Sequence, residues 1–574
     1  MSRAGSTTPP AARGGTSIAA AVLFATAPAG DGGPAALLPW HGGTVLGRLV
    51  GQLAALGVQR TVVVTRPAWD PDVRAALGAA AEVLTSPDVP SDLGVLAELA
   101  DGNGDGGLVA AYGDIVTHDA ALAGVLADPR VATGVLSGGR YRTMVFRIRN
   151  RRGRLISAAS AYHAVYRPTG TFLGVLKVAP ADIPALAEAA RRLAPLAGAP
   201  PASWFEELER KEASWRSALA RLAAGGELEE AARVEDEEDD ARVVLSPEDE
   251  ARVRERVTAA SDDAVALLLV GLVRSGAQLG ATHVRRLYWS RPLTADGATR
   301  AADEIEEIDE DRVLLDSAVK GTDGFFTTFF VSPYSRYIAR WAARRGLTPN
   351  QVTTASMLIG VLAAAAFATG ERWGLIAGAV LLQIAFTTDC VDGQLARYTR
   401  TFSKLGAWLD SVFDRGKEYL AFAGLAIGAG RMGDPVWLLA CAALTAQTVR
   451  HMSDFSFGTS QQQALRTTVH PPIEQPLDLP GAAAASRRGR EAAPEPERRR
   501  SAPDRALSAW RKLDRAPGVR WIKRIVAFPI GERFAVISIT AALFTPRTTF
   551  VVLLVCAAIA GAYTQTGRVL RSVR

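Results

Sequence analysis

After residue 330 the chain turns apolar in six stretches, at about 351–369, 373–389, 405–429, 435–450, 527–544 and 548–566. A helix of roughly 20 apolar residues covers about 30 Å, the depth of a bilayer's hydrocarbon. In hydrocarbon every backbone N–H and C=O must bond within its own segment, so such stretches are restricted to helices. Residues 347–574 are therefore expected to form an all-α, six-helix transmembrane domain. Its loop charges are uneven. Arg397, Arg400 and Lys404 follow the second stretch, and Arg487, Arg488, Arg490, Arg498, Arg499 and Arg500 follow the fourth. Arg568, Arg571 and Arg574 close the chain, whereas the loops at 370–372, 431–435 and 545–547 are short. The positive-inside rule places both termini and the even-numbered loops on the cytoplasmic side of the cell (inner or plasma) membrane. Pro, Ala and Arg dominate 475–505, so the loop 455–520 is expected to be partly disordered.

Directly before the first stretch, 331–346 interleaves Tyr, Ile and Trp with Arg336, Arg340, Arg344 and Arg345. At helical spacing this is an amphipathic juxtamembrane helix. Over the whole chain of 574 residues, 48% are hydrophobic and 22% charged, a mixture of soluble and membrane parts. The three cysteines, Cys390, Cys441 and Cys556, all lie in apolar stretches, which excludes a disulfide scaffold or a cysteine-rich zinc module. The net charge of +6 is clustered in loops without interleaved aromatics, so anionic lipid headgroups, and no nucleic acid, are the expected partners.

Chemistry concentrates at the second and third stretches. Asp389 and Asp392 are three apart, Asp410 and Asp414 four apart, so each pair shares one helix face. Four carboxylates beside membrane helices repel one another and are costly to desolvate unless compensated. Divalent cations do this, and oxygen ligands without Cys or His favour Mg²⁺ or Mn²⁺ over zinc. Gly393 leaves room for a diphosphate near the helix. Gly406 and the small Ala396 permit close approach. Arg397 offers a planar, permanent charge to phosphate.

The string reads D-x-x-D-G-x-x-A-R, eight residues, then G-x-x-x-D-x-x-x-D. It resembles, without a departure, the signature of the CDP-alcohol phosphotransferase (CDP-alcohol phosphatidyltransferase) family, and the likeness covers about 320–570. Leu347-Thr348-Pro349-Asn350-Gln351-Val352-Thr353 is similar to the family's entry into its first span. The resemblance implies a transferase in which an alcohol hydroxyl attacks the β-phosphorus of a CDP-linked donor and CMP leaves. It implies two metal ions held by Asp389, Asp392, Asp410 and Asp414, with Asp414 also taking the hydroxyl proton. Gly393, Ala396, Arg397 and Gly406 would bind the donor nucleotide or allow its approach. CDP-diacylglycerol or a CDP-alcohol is the implied donor, an alcohol or polyol phosphate the acceptor, and a homodimer the implied assembly. Arg450 and Arg533 are the acceptor-phosphate candidates, with membrane anchoring as the competing reading. His451 reads as a loop residue.

The first part of the chain is different. Strand patterns at 17–25, 61–65, 82–85 and 108–112 alternate with helical ones such as 44–56, and further strands are expected at 143–149 and 157–166. Such alternation predicts an α/β N-terminal domain, a parallel sheet covered by helices, over 17–195, behind a disordered tail at 1–16. Residues 196–330 are expected as a helical, acidic linker with a solvated run at 227–240 and one packed apolar helix near 264–273. The pattern LLPWHGGTVLGRLVGQLAALGVQRTVVVT and the strand ending in Gly113-Asp114 resemble the sugar-phosphate nucleotidyltransferases, which implies an α/β Rossmann-like N-terminal domain. In that family a glycine-rich loop and a lysine hold nucleotide phosphates and the aspartate binds Mg²⁺, which makes Asp114 the metal candidate here. The loop in this chain reads ATAPAGDGGPAALLPW, and the first lysine is Lys177. A nucleotidyltransferase fused to a CDP-alcohol phosphotransferase is the layout of bifunctional enzymes in which one domain makes CDP-inositol and the other consumes it. A non-catalytic transporter or membrane scaffold is the alternative class, and metal-dependent CMP release separates the two.

Overall fold

The computed structural model describes residues 18–139, 146–198, 264–466, 470–478 and 517–572, apart from 152, 161, 166, 167, 322, 475 and 476. The expected tail, the acidic run at 227–240 and most of the loop at 455–520 lie outside the described residues. The chain divides into two units, Met1–Val313 with Arg466–Arg490, and Leu314–Leu465 with Glu491–Arg574.

Among the described residues, the first unit is built on a nine-stranded sheet: β1 (Ile18–Ala25), β2 (Arg60–Thr65), β3 (Glu82–Thr85), β4 (Gly107–Tyr112), β5 (Thr133–Gly138), β6 (Arg147–Arg151), β7 (Arg154–Ala158), β8 (Gly170–Val178) and β9 (Leu279–His283). Their spatial order is β3-β2-β1-β4-β8-β5-β9-β7-β6. β1 to β4 pair in parallel, as the strand–helix alternation predicts. β8 then runs antiparallel to β4 and β5, so the sheet as a whole is mixed. β1 (IAAAVLFA) is almost wholly buried, the continuous apolar run of a strand covered on both faces. Between β1 and β2, helix α1 (Val45–Ala55) starts at Thr44, whose side chain accepts from Gly47 N at 3.0 Å. The remaining helices of this unit include α2 (Asp70–Leu77), α3 (Val89–Asp101), α4 (Asp119–Leu126), α5 (Ile183–Ala197), α6 (Ala264–Arg274) and α7 (Ala295–Glu307).

The expected boundary at 195 is corrected. α6, the apolar helix foreseen near 264–273, is buried along its whole length, and β9 pairs with β5 inside the sheet. The unit therefore runs to Val313, and much of the expected linker belongs to it. β9 (LGATH) is too short and too weakly apolar to read as a core strand. Its place comes from a partner strand far away in the chain.

In the second unit the apolar stretches become helices: α9 (Pro349–Phe367), α10 (Arg372–Thr399), α11 (Lys404–Arg431), α12 (Trp437–Arg466), α14 (Ile530–Leu543) and α15 (Pro546–Ser572). α8 (Ser332–Arg344) precedes them and α13 (Pro517–Val526) comes before α14. Among the described residues, three segments are long and apolar enough to cross a membrane: Pro349–Phe367, Arg372–Thr399 and Pro546–Arg568. α8 is amphipathic. It buries Ser335, Ala339 and Ala342 and exposes Tyr337, Ile338 and Trp341.

α9 opens with a capping box: Thr348 accepts from Gln351 N, and the Gln351 side chain accepts from Thr348 N. α10 ends at Arg400 in the left-handed region, and Ser403 caps α11 by accepting from Gly406 N at 2.8 Å. The tight reversal sets the end of α10 beside the start of α11. α9 and α11 then pack backbone to backbone, because a side chain at Gly424 would overlap the Ala364 carbonyl. Phe367, Leu382, Phe386, Phe534, Ile537 and Phe550 fill the core.

Candidate functional site

α10 carries Asp389 and Asp392, and α11 carries Asp410 and Asp414. Helical spacing puts the members of each pair on one face, and the reversal at 400–403 brings the two faces together. One carboxylate oxygen each from Asp389, Asp410 and Asp414 lie within 4.8 Å of one another. Asp392 stands apart from this trio. It is buried, and Thr353 of α9 donates to its Oδ2 at 2.5 Å. The expected set of four thus resolves into a converging three and a fourth directed at α9.

A residue that sequence reasoning missed completes the trio. Lys417, on α11, is fully buried. Its Nζ donates to Asp389 and, at 2.9 Å, to Ser356 Oγ of α9, and lies 3.4 Å from Asp414 Oδ1. Gly360 makes room for its stem, since a Cβ there would come within 2.7 Å of Lys417 Cγ. The available signal was spacing: Lys417 is three residues beyond Asp414, on the same helix face. Among the described residues, no donor reaches hydrogen-bonding geometry at the buried Asp414 Oδ1. Three converging carboxylates, one with a buried oxygen that accepts no hydrogen bond among the described residues and with no Cys or His in the group, suit a hard divalent cation.

The other motif residues lie on the same two helices. The Arg397 guanidinium lies over Gly393, where a Cβ would meet Nη1 at 3.2 Å, and Arg397 Nε donates to Ala318 O. A Cβ at Gly406 would meet Asn350 Oδ1 at 2.6 Å, so this glycine admits the side chain that opens α9. Ala396 lies on α10 one turn after Asp392 and is half-buried.

Arg450 and Arg533 belong to a second buried polar cluster, which holds Glu418, Gln447, His451 and Tyr419. Arg533 donates to both carboxylate oxygens of Glu418, at 2.8 and 3.2 Å, and Gln447 adds a third bond at 2.9 Å. Its charge is therefore matched by Glu418, a partner sequence reasoning did not anticipate. Arg450 donates to Ala527 O and has Asp454 at 3.9 Å, and its buried Nη1 has no hydrogen-bond partner among the described residues. His451 is a helical residue of α12, not a loop residue. Its Nδ1 lies 3.3 Å from the Tyr419 hydroxyl.

In the first unit, Asp114 is almost fully buried and accepts from Arg291 Nε at 2.7 Å. Among the described residues it belongs to no metal-type group of carboxylates, His or Cys. Lys177 lies in the sheet core and donates to the carbonyls of Leu126 and Val131 at 3.0 and 2.8 Å, and burial pushes its pKa down.

Residues 346–468 match the family model described as CDP-alcohol phosphatidyltransferase, and this part of the chain is a domain of that family. A bifunctional IPC transferase and DIPP synthase from Aquifex aeolicus is 31% identical over 152 residues, 26% of this chain and 32% of that protein. A protein of the same description from Thermococcus kodakarensis is 30% identical over 166 residues, 29% of this chain and 35% of its own. A phosphatidylinositol phosphate synthase from Mycolicibacterium smegmatis is 39% identical over 94 residues, 16% of this chain and 40% of that protein. The chain spans about a third of the length of the bifunctional relatives it matches. The structure of the inositol-1-phosphate CTP transferase from T. maritima is similar to this chain at a TM-score of 0.31 and 10% identity, covering 51% of this chain and 97% of its own.

Proposed function

We propose that the second unit is a membrane transferase that moves a phosphatidyl or phospho-alcohol group from a CDP-linked donor to an alcohol acceptor, with release of CMP. The observation that carries this reading is the convergence of Asp389, Asp410 and Asp414 within a segment of the matching family. Mg²⁺ or Mn²⁺, two ions by the family resemblance, would be held by these carboxylates with Asp392 and would neutralise the diphosphate and the departing CMP. Asp414 takes the proton from the acceptor hydroxyl as its oxygen bonds to the β-phosphorus and the bond to CMP breaks. Lys417 holds Asp389 and Asp414 in place while the site is empty of substrate. Gly393 and Gly406 keep the approach to the carboxylates open, and Arg397 faces the donor phosphates.

The relatives' names make an inositol phosphate the acceptor to test first, with Arg450 as the ligand for its phosphate and Arg533 as the second candidate. On this reading all six long helices lie in the membrane, the termini are cytoplasmic and the protein is a homodimer. The same names favour a second reading, in which the first unit is a CTP:inositol-phosphate cytidylyltransferase and the second a di-inositol-phosphate synthase.

The test is CMP release by the purified protein in detergent. CDP-diacylglycerol or CDP-inositol is offered with inositol phosphate, glycerol phosphate or no acceptor, in Mg²⁺ or in EDTA. Acceptor-dependent, Mg²⁺-dependent release that falls by about 10²-fold or more in Asp414→Asn is expected. Full activity in that variant overturns the assignment. A folded protein that conducts ions but releases no CMP is a transporter instead.

A further inference from the structure

In open α/β sheets ligands bind beyond the carboxyl ends of the strands, where helix N-termini and free loop amides receive phosphates. In the first unit that place is the loop after β1, at 25–38, together with Asp114 after β4. Both are already engaged by the chain itself. Ala29 N donates to Gly33 O, Gly32 N to Ala29 O and Ala35 N to Ala27 O, at 2.6, 3.1 and 2.9 Å. Gly33 N donates to the Asp31 carboxylate at 3.0 Å, and Gly30 N to Leu293 O at 2.8 Å. Five amides that would line a phosphate cradle are thus spent on oxygens of the protein. No lysine or arginine lies between Arg13 and Arg48 to replace them, and the loop adds the negative charge of Asp31.

The segment 288–294 closes the same place from the other side. Trp289 and Ser290 pair antiparallel with Thr117 and Val116. Thr117 Oγ1 donates to Tyr288 O at 2.7 Å, and Trp289 Nε1 to Leu173 O at 3.0 Å. From this strap Arg291 reaches Asp114, with side chains only 12% and 2% exposed. Its guanidinium carbon stands 3.6 Å from the centre of the Tyr112 ring. That ring lies against Gly174, whose φ is +82° and where any side chain would overlap it. The pocket for the arginine is therefore shaped by a backbone feature of β8. A divalent cation needs several oxygen ligands about 2.0–2.1 Å away. The Asp114 oxygen that such a cation would need already faces a fixed positive charge.

We infer that Arg291 and the strap 288–294 permanently occupy the strand-end cleft of the first unit, so that this unit does not transfer nucleotides from CTP. If the second unit is the transferase proposed above, its donor must then come from a separate enzyme of a defined class. In that reaction a phosphate monoester oxygen attacks the α-phosphorus of CTP, the bond to pyrophosphate breaks, and the CDP-linked compound and pyrophosphate are the products. The fused first unit serves the membrane enzyme in a role other than making its donor.

The experiment uses the full chain in detergent, with two independent readouts. The first offers CTP, Mg²⁺ and inositol phosphate and follows pyrophosphate, beside an arm with preformed CDP-linked donor that follows CMP. Pyrophosphate at the no-enzyme blank is expected, and pyrophosphate above it overturns the inference. The second is hydrogen–deuterium exchange of peptides spanning 25–38 and 284–297. Exchange should be slow and unchanged by millimolar CTP with Mg²⁺, and faster at 288–294 in Arg291→Met. Protection induced by CTP, or an unaltered strap in Arg291→Met, overturns it as well. Loss of CMP release in the preformed-donor arm would sink the transferase reading alone, because the exchange data bear on the strap whether or not the second unit is active.

Discussion

Replacing Lys417 by Met removes one charge from the middle of the carboxylate site and little else. Methionine matches the lysine stem in length, so the space opposite Gly360 stays filled. What is lost is the ammonium that donates to Asp389 and Ser356 and stands 3.4 Å from Asp414. Lys417 has no exposed surface and the Asp389 side chain is 9% exposed, so water cannot replace the lost partner. Breaking a buried ion pair from one side costs about 3–5 kcal/mol. For a domain of roughly 150–250 residues each kcal/mol moves Tm by about 2–4 °C. In EDTA the Lys417→Met protein should therefore unfold roughly 6–20 °C below the wild type, by thermal unfolding in detergent. Saturating Mg²⁺ should close most of that gap, because a bound cation compensates the same carboxylates. A wild-type Tm in EDTA, or a gap that Mg²⁺ leaves untouched, would refute the view that Lys417 and the cation share one set of charges.

Three further outcomes are expected. Gly424→Ala puts a methyl into the Ala364 carbonyl and should cost about 1–3 kcal/mol of stability, whereas Gly458→Ala, with nothing within 4 Å, should be neutral or slightly stabilising in the same unfolding assay. Arg533→Met leaves Glu418 buried without its guanidinium and should lower stability by about 3–5 kcal/mol, with partial recovery in Arg533→Lys. A normal Tm with a raised KM for the acceptor phosphate would make Arg533 a substrate ligand instead. His163 is buried, accepts from Ser160 at Nδ1 and donates from Nε2 to Ile473 O. Burial first, then Arg274, pushes its pKa down to about 4, against the opposing pull of the Ile473 carbonyl and Glu474. Its neutral form is thus favoured in the folded state, so this contribution is complete above pH 6.5 and lost as pH falls towards 4. The loss is about 3 kcal/mol. Unfolding midpoints of the full chain at pH 7, 5 and 4 should show it, and His163→Gln should flatten the dependence.

The candidate site was legible as far as local spacing reaches. Asp389 with Asp392 and Asp410 with Asp414 share helix faces by periodicity, and the glycines beside them mark close approach. The different fates of those four carboxylates were not legible, because Thr353 of α9 draws Asp392 aside while the other three converge. Lys417 was not legible, because its spacing puts it on the face of Asp414 without saying what that face packs against. Its burial beside Ser356 and two aspartates is decided by the packing of α9, α10 and α11. Arg533 reads from sequence as a substrate ligand, and the Glu418 carboxylate beside it comes from another helix that no local spacing connects to it.

The patterns that repeat within one or two helical turns, or along one strand, determined the helices of the second unit, the parallel half of the sheet, the capping of α9 and the membership of the carboxylate pairs. Such patterns are written in neighbouring residues, and the physics that reads them acts locally. The tertiary structure alone decided the rest. It set β9 into the sheet beside β5 and placed Arg291 against Asp114 across 177 residues of chain. It turned the loop amides after β1 onto the protein's own carbonyls, and it bound His163 to Ile473 over a separation of 310 residues. These partners share no sequence period, and each is brought to the other only by the burial of apolar surface elsewhere in the fold.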